Sequence, residues 1–278
     1  MKGPLAALRD VLETARAAVV AILHARHAII MLSAILLILL WGSHGNLELL
    51  RFVLPGWLGQ GSTAAEGRAV LIPGVPWDQE WISFFAGAFL LVLVPCAIVR
   101  FGFGERLRDY GLGGPRRGQG SFTVASTVVL ALFAYPSMAV AARSPGMRAL
   151  YPLFRSFTSY GQFALYELGY FAFFLAIEFM FRGYLLLGLY GAQQAGGATQ
   201  ARESNDPPLL NHYSILVSML SYTAWHLGKP LPELWSTPIW GIVAGAIVLR
   251  SGTLWPVVLV HWSMNVLLDF LIVRDLLH

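Results

Sequence analysis

Cysteine occurs once in these 278 residues, as Cys96 inside an apolar run. That excludes a disulfide framework and a thiolate zinc cluster. Charge is scarce as well: Asp, Glu, Lys and Arg make up 12% of the chain, against roughly 25% in a soluble domain. There is no HExxH pair, no GxSxG elbow and no glycine-rich phosphate loop, so the common zinc-protease, serine-hydrolase and nucleotide-binding signatures are missing. No basic patch is interleaved with aromatics. The formal charge of +4 therefore reads as topology information and contact with anionic lipid, not as a nucleic-acid surface.

What the chain has instead is apolar length. Hydrophobic residues account for 56% and the mean hydropathy is +0.62. Several runs approach the roughly 20 residues that a helix needs to cross a bilayer. They do not alternate in polarity as barrel strands would, so helices are the expectation. The fold class predicted is all-α: a polytopic transmembrane helical bundle of about seven spans.

Residues 1–27 form an amphipathic N-terminal segment. Leu5, Leu8, Leu12 and Val19 recur at helical spacing over 4–24, with Lys2, Arg9, Asp10, Glu13 and Arg16 largely on the other side. This reads as an interfacial helix leading into an uncleaved anchor, since no small-x-small site follows the apolar run. His24 and His27 beside Arg26 have metal-like spacing, but residues of this kind sit more often at headgroup level. Residues 28–158 hold the N-terminal spans and their loops, and 159–278 a core with the chemically interesting residues. Spans are expected near Ala28–Trp41, Trp81–Val99, Phe122–Ala141, Phe163–Tyr190, Leu209–His226, Trp235–Leu249 and Leu254–Val273. The polar stretches 42–80 and 191–208 read as loops. Arg106, Arg108, Arg116 and Arg117, with the basic N-terminus, place the N-terminus and the loop after the second span in the cytoplasm.

The fourth span contains Glu178 and Arg182, four residues apart and so on one helix face about a turn from each other. Charges at membrane depth are costly and mark function by default. The plain alternative is an ion pair that locks two helices together. Glu167 lies eleven residues earlier, about 16 Å away along the axis, too far to form a carboxylate pair with Glu178 and placed by its position near the outer interface. Further on, His226 ends the sequence SYTAWH, while His261 and Asn265 share a face of the last span. Alone, each reads as helix glue or an interfacial side chain. Together they predict a polar cavity with a base, two imidazoles and an amide donor.

At these residues the chain resembles the CPBP family of intramembrane endopeptidases, which includes the type II CAAX prenyl proteases and the Abi proteins. The family's EExxxR motif corresponds to Ile177-Glu178-Phe179-Met180-Phe181-Arg182, followed by Gly183. Its FxxxH motif corresponds to Tyr222-Thr223-Ala224-Trp225-His226, and its HxxxN motif to His261-Trp262-Ser263-Met264-Asn265. The similarity covers roughly residues 160–270. One position departs: the first glutamate of the pair, to which water activation is usually assigned in the family, is Ile177.

The resemblance implies peptide-bond hydrolysis in a membrane cavity, on a membrane-anchored protein or peptide near its anchor. Glu178, assisted by His226 and kept ionised by Arg182, would deprotonate water. His261 and Asn265 would stabilise the oxyanion, worth roughly 3–4 kcal/mol per donor in well-studied sites. No cofactor is the expectation, with zinc on a two-His, one-Glu set as the alternative. The arginine-, glycine- and alanine-rich composition, with the family's bacterial members, suggests a bacterial cytoplasmic membrane. A non-catalytic relative, for example a binding or bacteriocin-immunity partner that lost the activating glutamate, is the competing class. A transporter is a third, but it would carry polar groups along a whole path.

Overall fold

The computed structural model describes residues 12–17, 25–44, 84–154, 157, 159–191, 212–274 and 277. Most of the amphipathic stretch 4–24, with His24, and most of the polar stretches 42–80 and 191–208 lie outside the described residues. Within them the chain is helical, with no strand among the described residues. The elements are α1 (Arg26–His44), α2 (Phe84–Gly102), a 3₁₀ turn (Leu107–Tyr110), α3 (Gly120–Ala141), α4 (Pro145–Leu150), α5 (Tyr160–Gly191), α6 (His212–Trp225), α7 (Leu231–Ser251) and α8 (Trp255–Val273).

Seven of these helices occupy the seven expected spans. Five of them, α2, α3, α5, α7 and α8, are long and apolar enough to cross a membrane. The apolar part of α1 (Arg26–Trp41) is shorter, and α6 has 14 residues, about 21 Å of helix against a hydrocarbon core of about 30 Å. The outward faces support the same reading. On α3, Val124, Val128, Leu132, Phe133 and Val140 are all exposed, a contiguous apolar surface that a soluble monomer avoids. The protein is an integral membrane protein with a polytopic helical bundle.

Helix α5 is the centre. Its most apolar window is 89% buried, whereas that of α3 is 22% buried. The first half of α5 packs on α8; its second half packs on α1, α6, α7 and the 3₁₀ turn. Ser159 caps its start by accepting from the Gln162 amide at 3.3 Å. After Glu178 the hydrogen-bonding pattern widens into a π-helix over Phe179–Leu187. Such wide turns are uncommon and recur at functional sites.

Gly183 lies in that stretch because nothing larger fits. A Cβ there would come within 2.7 Å of the Tyr110 carbonyl oxygen and 2.6 Å of the Phe179 ring.

Two ends of the bundle can be told apart. At one, Arg26 at the start of α1 reaches Glu105 after α2 at 2.7 Å, and the Tyr110 hydroxyl donates to the same carboxylate. Arg116 Nη1 donates to the Leu249 carbonyl at the C-terminus of α7, where Gly252 (φ 72°) ends the helix in the left-handed region. These contacts put the start of α1, the loop after α2 and the C-terminus of α7 at one end of the bundle. At the other end, Tyr151 after α4 meets Lys229 and Glu233 at the start of α7.

Candidate functional site

Glu178 and Arg182 are both fully buried, at 0% exposure. Arg182 Nε lies 3.4 Å from Glu178 Oε2, and the guanidinium nitrogens make no hydrogen bond of ordinary geometry. The cation is instead stacked over the Tyr222 ring of α6, 4.0 Å from its centroid. A desolvated cation–π contact of this kind contributes about 2 kcal/mol.

The other carboxylate oxygen is taken up elsewhere. Glu178 Oε1 lies 2.6 Å from His261 Nδ1 on α8 and accepts from Trp240 Nε1 on α7 at 3.0 Å. Four helices thus converge on one buried carboxylate: α5 supplies it, α6 covers its arginine, and α7 and α8 donate to it. When Nδ1 donates to Glu178, Nε2 is the His261 nitrogen left for a substrate. The ring is held in place by Phe174 and Trp240, at centroid distances of 4.7 and 5.1 Å.

His226 makes different contacts. Its Nδ1 lies 2.8 Å from the Tyr222 carbonyl oxygen, and its Nε2 lies 3.6 Å from Glu233 Oε1. The Tyr222 ring is edge-on to both imidazoles, with centroid distances of 4.4 Å to that of His226 and 6.3 Å to that of His261. Asn265 is buried one turn beyond His261 and donates from Nδ2 to Asp269 Oδ2 at 3.1 Å. Of the five residues predicted from sequence, Glu178, Arg182 and His261 are joined directly. His226 and Asn265 border the same region, each with an acidic partner of its own.

Those partners escaped the sequence reading, as did Trp240. Asp269 continues the spacing of His261 and Asn265 by another four residues. Glu233 sits in a polar helix start, PELW, where an acid is ordinary. Glu167 is also deeper in the protein than its sequence position suggested. It is 3% exposed, its carboxyl group neighbours Asp269, and its carbonyl oxygen accepts from Trp262 Nε1 at 2.8 Å. Ile177 lies in the apolar core at 2% exposure.

Among the described residues, no three His, Cys, Asp or Glu side chains gather as metal ligands. Glu178 and His261 bond to each other, and His226 faces Glu233, so the residues as arranged do not fit a two-His, one-Glu ion.

A polytopic helical membrane protein with a carboxylate–imidazole–guanidinium site buried between its helices is the class that this fold defines. Residues 159–267 match the family model described as type II CAAX prenyl endopeptidase, Rce1-like, a match consistent with the CPBP resemblance. All three motifs lie inside the match. No curated protein and no solved structure matches the chain.

Proposed function

We propose that the protein is an intramembrane endopeptidase that hydrolyses a peptide bond near the membrane anchor of a protein or peptide. The observation that carries this reading is the 2.6 Å contact between Glu178 and His261. It unites the first and third motifs of a peptidase family at one buried point, an arrangement that helix packing alone does not call for.

In this reading Arg182 keeps Glu178 ionised, and Glu178 holds His261 and stabilises its imidazolium. His261 Nε2 and the second Nδ2 hydrogen of Asn265 are the donors for the oxyanion that develops on the scissile carbonyl. His226 works on the attacking water. This redistributes the roles expected from sequence: Glu178 Oε1 is already held by His261 and Trp240, and Oε2 faces the Arg182 guanidinium at 3.4 Å. The chemistry uses no metal, which the arrangement of the donors supports. The Lys and Arg distribution supports a cytoplasmic N-terminus, and the arginine-, glycine- and alanine-rich composition supports a bacterial membrane.

The test is to compare new protein termini in host membranes carrying wild type, His226→Ala and His261→Ala, at matched expression. Termini present with wild type and absent with both variants support the enzyme. Identical termini in all samples, with the empty-vector control matching them, would favour a relative that binds without cutting.

A further inference from the structure

An enzyme that cuts peptide bonds with water needs a base at a place water can reach. Glu178 is at 0% exposure and Ile177 has no ionisable group, so neither meets that need. Glu233, on the first turn of α7, does. Its side chain is 14% exposed, beside Lys229 at 29%, at the end of the bundle where α4 and the start of α7 meet.

The contacts of His226 decide the matter. The Tyr222 carbonyl can only accept, so His226 Nδ1 carries the proton of that hydrogen bond and the neutral ring presents the lone pair of Nε2. That lone pair faces Glu233 Oε1 at 3.6 Å. Two acceptors face each other there, and only a proton between them relieves the repulsion. A water donating to both supplies it.

The carboxylate is prepared for such a partner. The Tyr151 hydroxyl donates to Oε1 at 2.8 Å and Lys229 Nζ at 3.3 Å. Burial, reinforced by neighbouring Tyr170 and Glu233, holds the Tyr151 phenol well above its usual range, so it stays a donor. Oε2 of Glu233 is buried and has no hydrogen-bond partner. An unpartnered buried carboxylate oxygen is costly unless something else occupies it during function.

We infer that Glu233 is the carboxylate that, with His226, activates water in this protein. The inference rests on the endopeptidase reading above. In the step, the water's proton passes to the Glu233 carboxylate or to His226 Nε2. The water oxygen bonds to the scissile carbonyl carbon, and the carbonyl π electrons move to its oxygen, held by His261 and Asn265. Collapse re-forms the carbonyl and breaks the C–N bond, and the captured proton goes to the leaving nitrogen. The products are a carboxylic acid and an amine. The function missing at Ile177 is thus supplied from a different helix.

The plain alternative is that Glu233 only ties Lys229 and Tyr151 to the start of α7. Glu233→Gln separates the two, because glutamine keeps an oxygen that accepts from Tyr151 and Lys229 but is no base. A peptide spanning a cut identified by termini profiling is presented to wild type, Glu233→Gln, Glu233→Asp and His226→Ala in proteoliposomes, with thermal unfolding measured for each. The expected result is a fall of about a hundredfold or more for Glu233→Gln, the usual scale of a lost general base. Its melting temperature should be near that of wild type, with partial recovery in Glu233→Asp. A Gln variant within threefold of wild type, while His226→Ala is dead, overturns this inference and leaves the peptidase reading standing. A Gln variant that is slow because it melts early, with Asp no better, assigns Glu233 to the scaffold and also overturns it. If wild type generates no termini at all, the peptidase reading falls and this inference with it.

Discussion

His261 Nδ1 lies 2.6 Å from Glu178 Oε1, and this one contact fixes how the acidic groups of the site are divided. Glu178 belongs to the imidazole of α8, while the imidazole that follows α6 faces Glu233 instead. Two carboxylate–histidine pairs therefore share the Tyr222 ring as a neighbour. One is sealed in the bundle beside a guanidinium; in the other, the Glu233 side chain is 14% exposed.

The sealed pair should behave as a unit in stability measurements. Glu178→Leu leaves Arg182 buried without its counter-charge, and Arg182→Met leaves the carboxylate with His261 and Trp240 alone. Breaking a buried pair on one side costs about 3–5 kcal/mol, whereas replacing both partners by apolar groups is often close to neutral. Each single variant should melt well below wild type in detergent, and Glu178→Leu/Arg182→Met should regain most of the loss. The double variant should nonetheless be inactive. Additive losses in the double variant would show that the two groups are not coupled.

Ile177→Glu would rebuild the paired glutamates of the family motif, yet it should not improve the enzyme. The side chain at 177 sits in the apolar core at 2% exposure. A carboxylate there would be buried without a partner, a change that destabilises by several kcal/mol. Reduced melting temperature and no gain in the rate of terminus formation are expected. A faster enzyme with unchanged stability would mean that position 177 faces the substrate.

Much of the bundle was legible because apolar runs of helical length have few alternatives in a bilayer. The limits of α3, α5, α7 and α8 fall within a few residues of the expected spans. The motifs led to one polar cavity with Glu178 working beside His226, whereas the Glu178 carboxylate meets His261. The π-helix after Glu178 was not legible, since a run such as Phe179–Leu187 carries no mark that separates it from α-helix. Nor was the partner choice of each histidine. Which carboxylate a ring nitrogen meets depends on angstrom-level helix placement, and Glu233 and Asp269 each looked ordinary in their local sequence.

Gly183 offers a test of that helix placement. An added methyl would meet the Tyr110 carbonyl and the Phe179 ring, and the backbone atom cannot swing away as a flexible side chain would. Gly183→Ala should destabilise by about 1–3 kcal/mol, the usual cost of overpacking. Because the strain falls one residue after Arg182, activity should drop with stability. Gly161→Ala, where the added Cβ would have only a 3.8 Å contact, serves as the control. Equal melting of both variants would mean that the 3₁₀ turn does not press on α5 as described.

Asp269 should matter to rate more than to substrate affinity. It accepts from Asn265 Nδ2 at 3.1 Å, and both residues are buried on the same face of α8 as His261. That bond holds the amide plane, and with it the direction of the second Nδ2 hydrogen. Asp269→Leu removes the acceptor and frees the amide to rotate, so an oxyanion donor is present but misdirected. Loss of such a donor outright costs about 10²–10³ in kcat, which sets the ceiling for losing only its orientation. A tenfold to hundredfold fall in kcat with KM held within about threefold is expected, since the interaction strengthens only in the transition state. Asp269→Asn keeps an acceptor oxygen and should recover most of the rate. An Asp269→Leu enzyme with raised KM and unchanged kcat would place Asp269 in substrate binding and remove Asn265 from the oxyanion site.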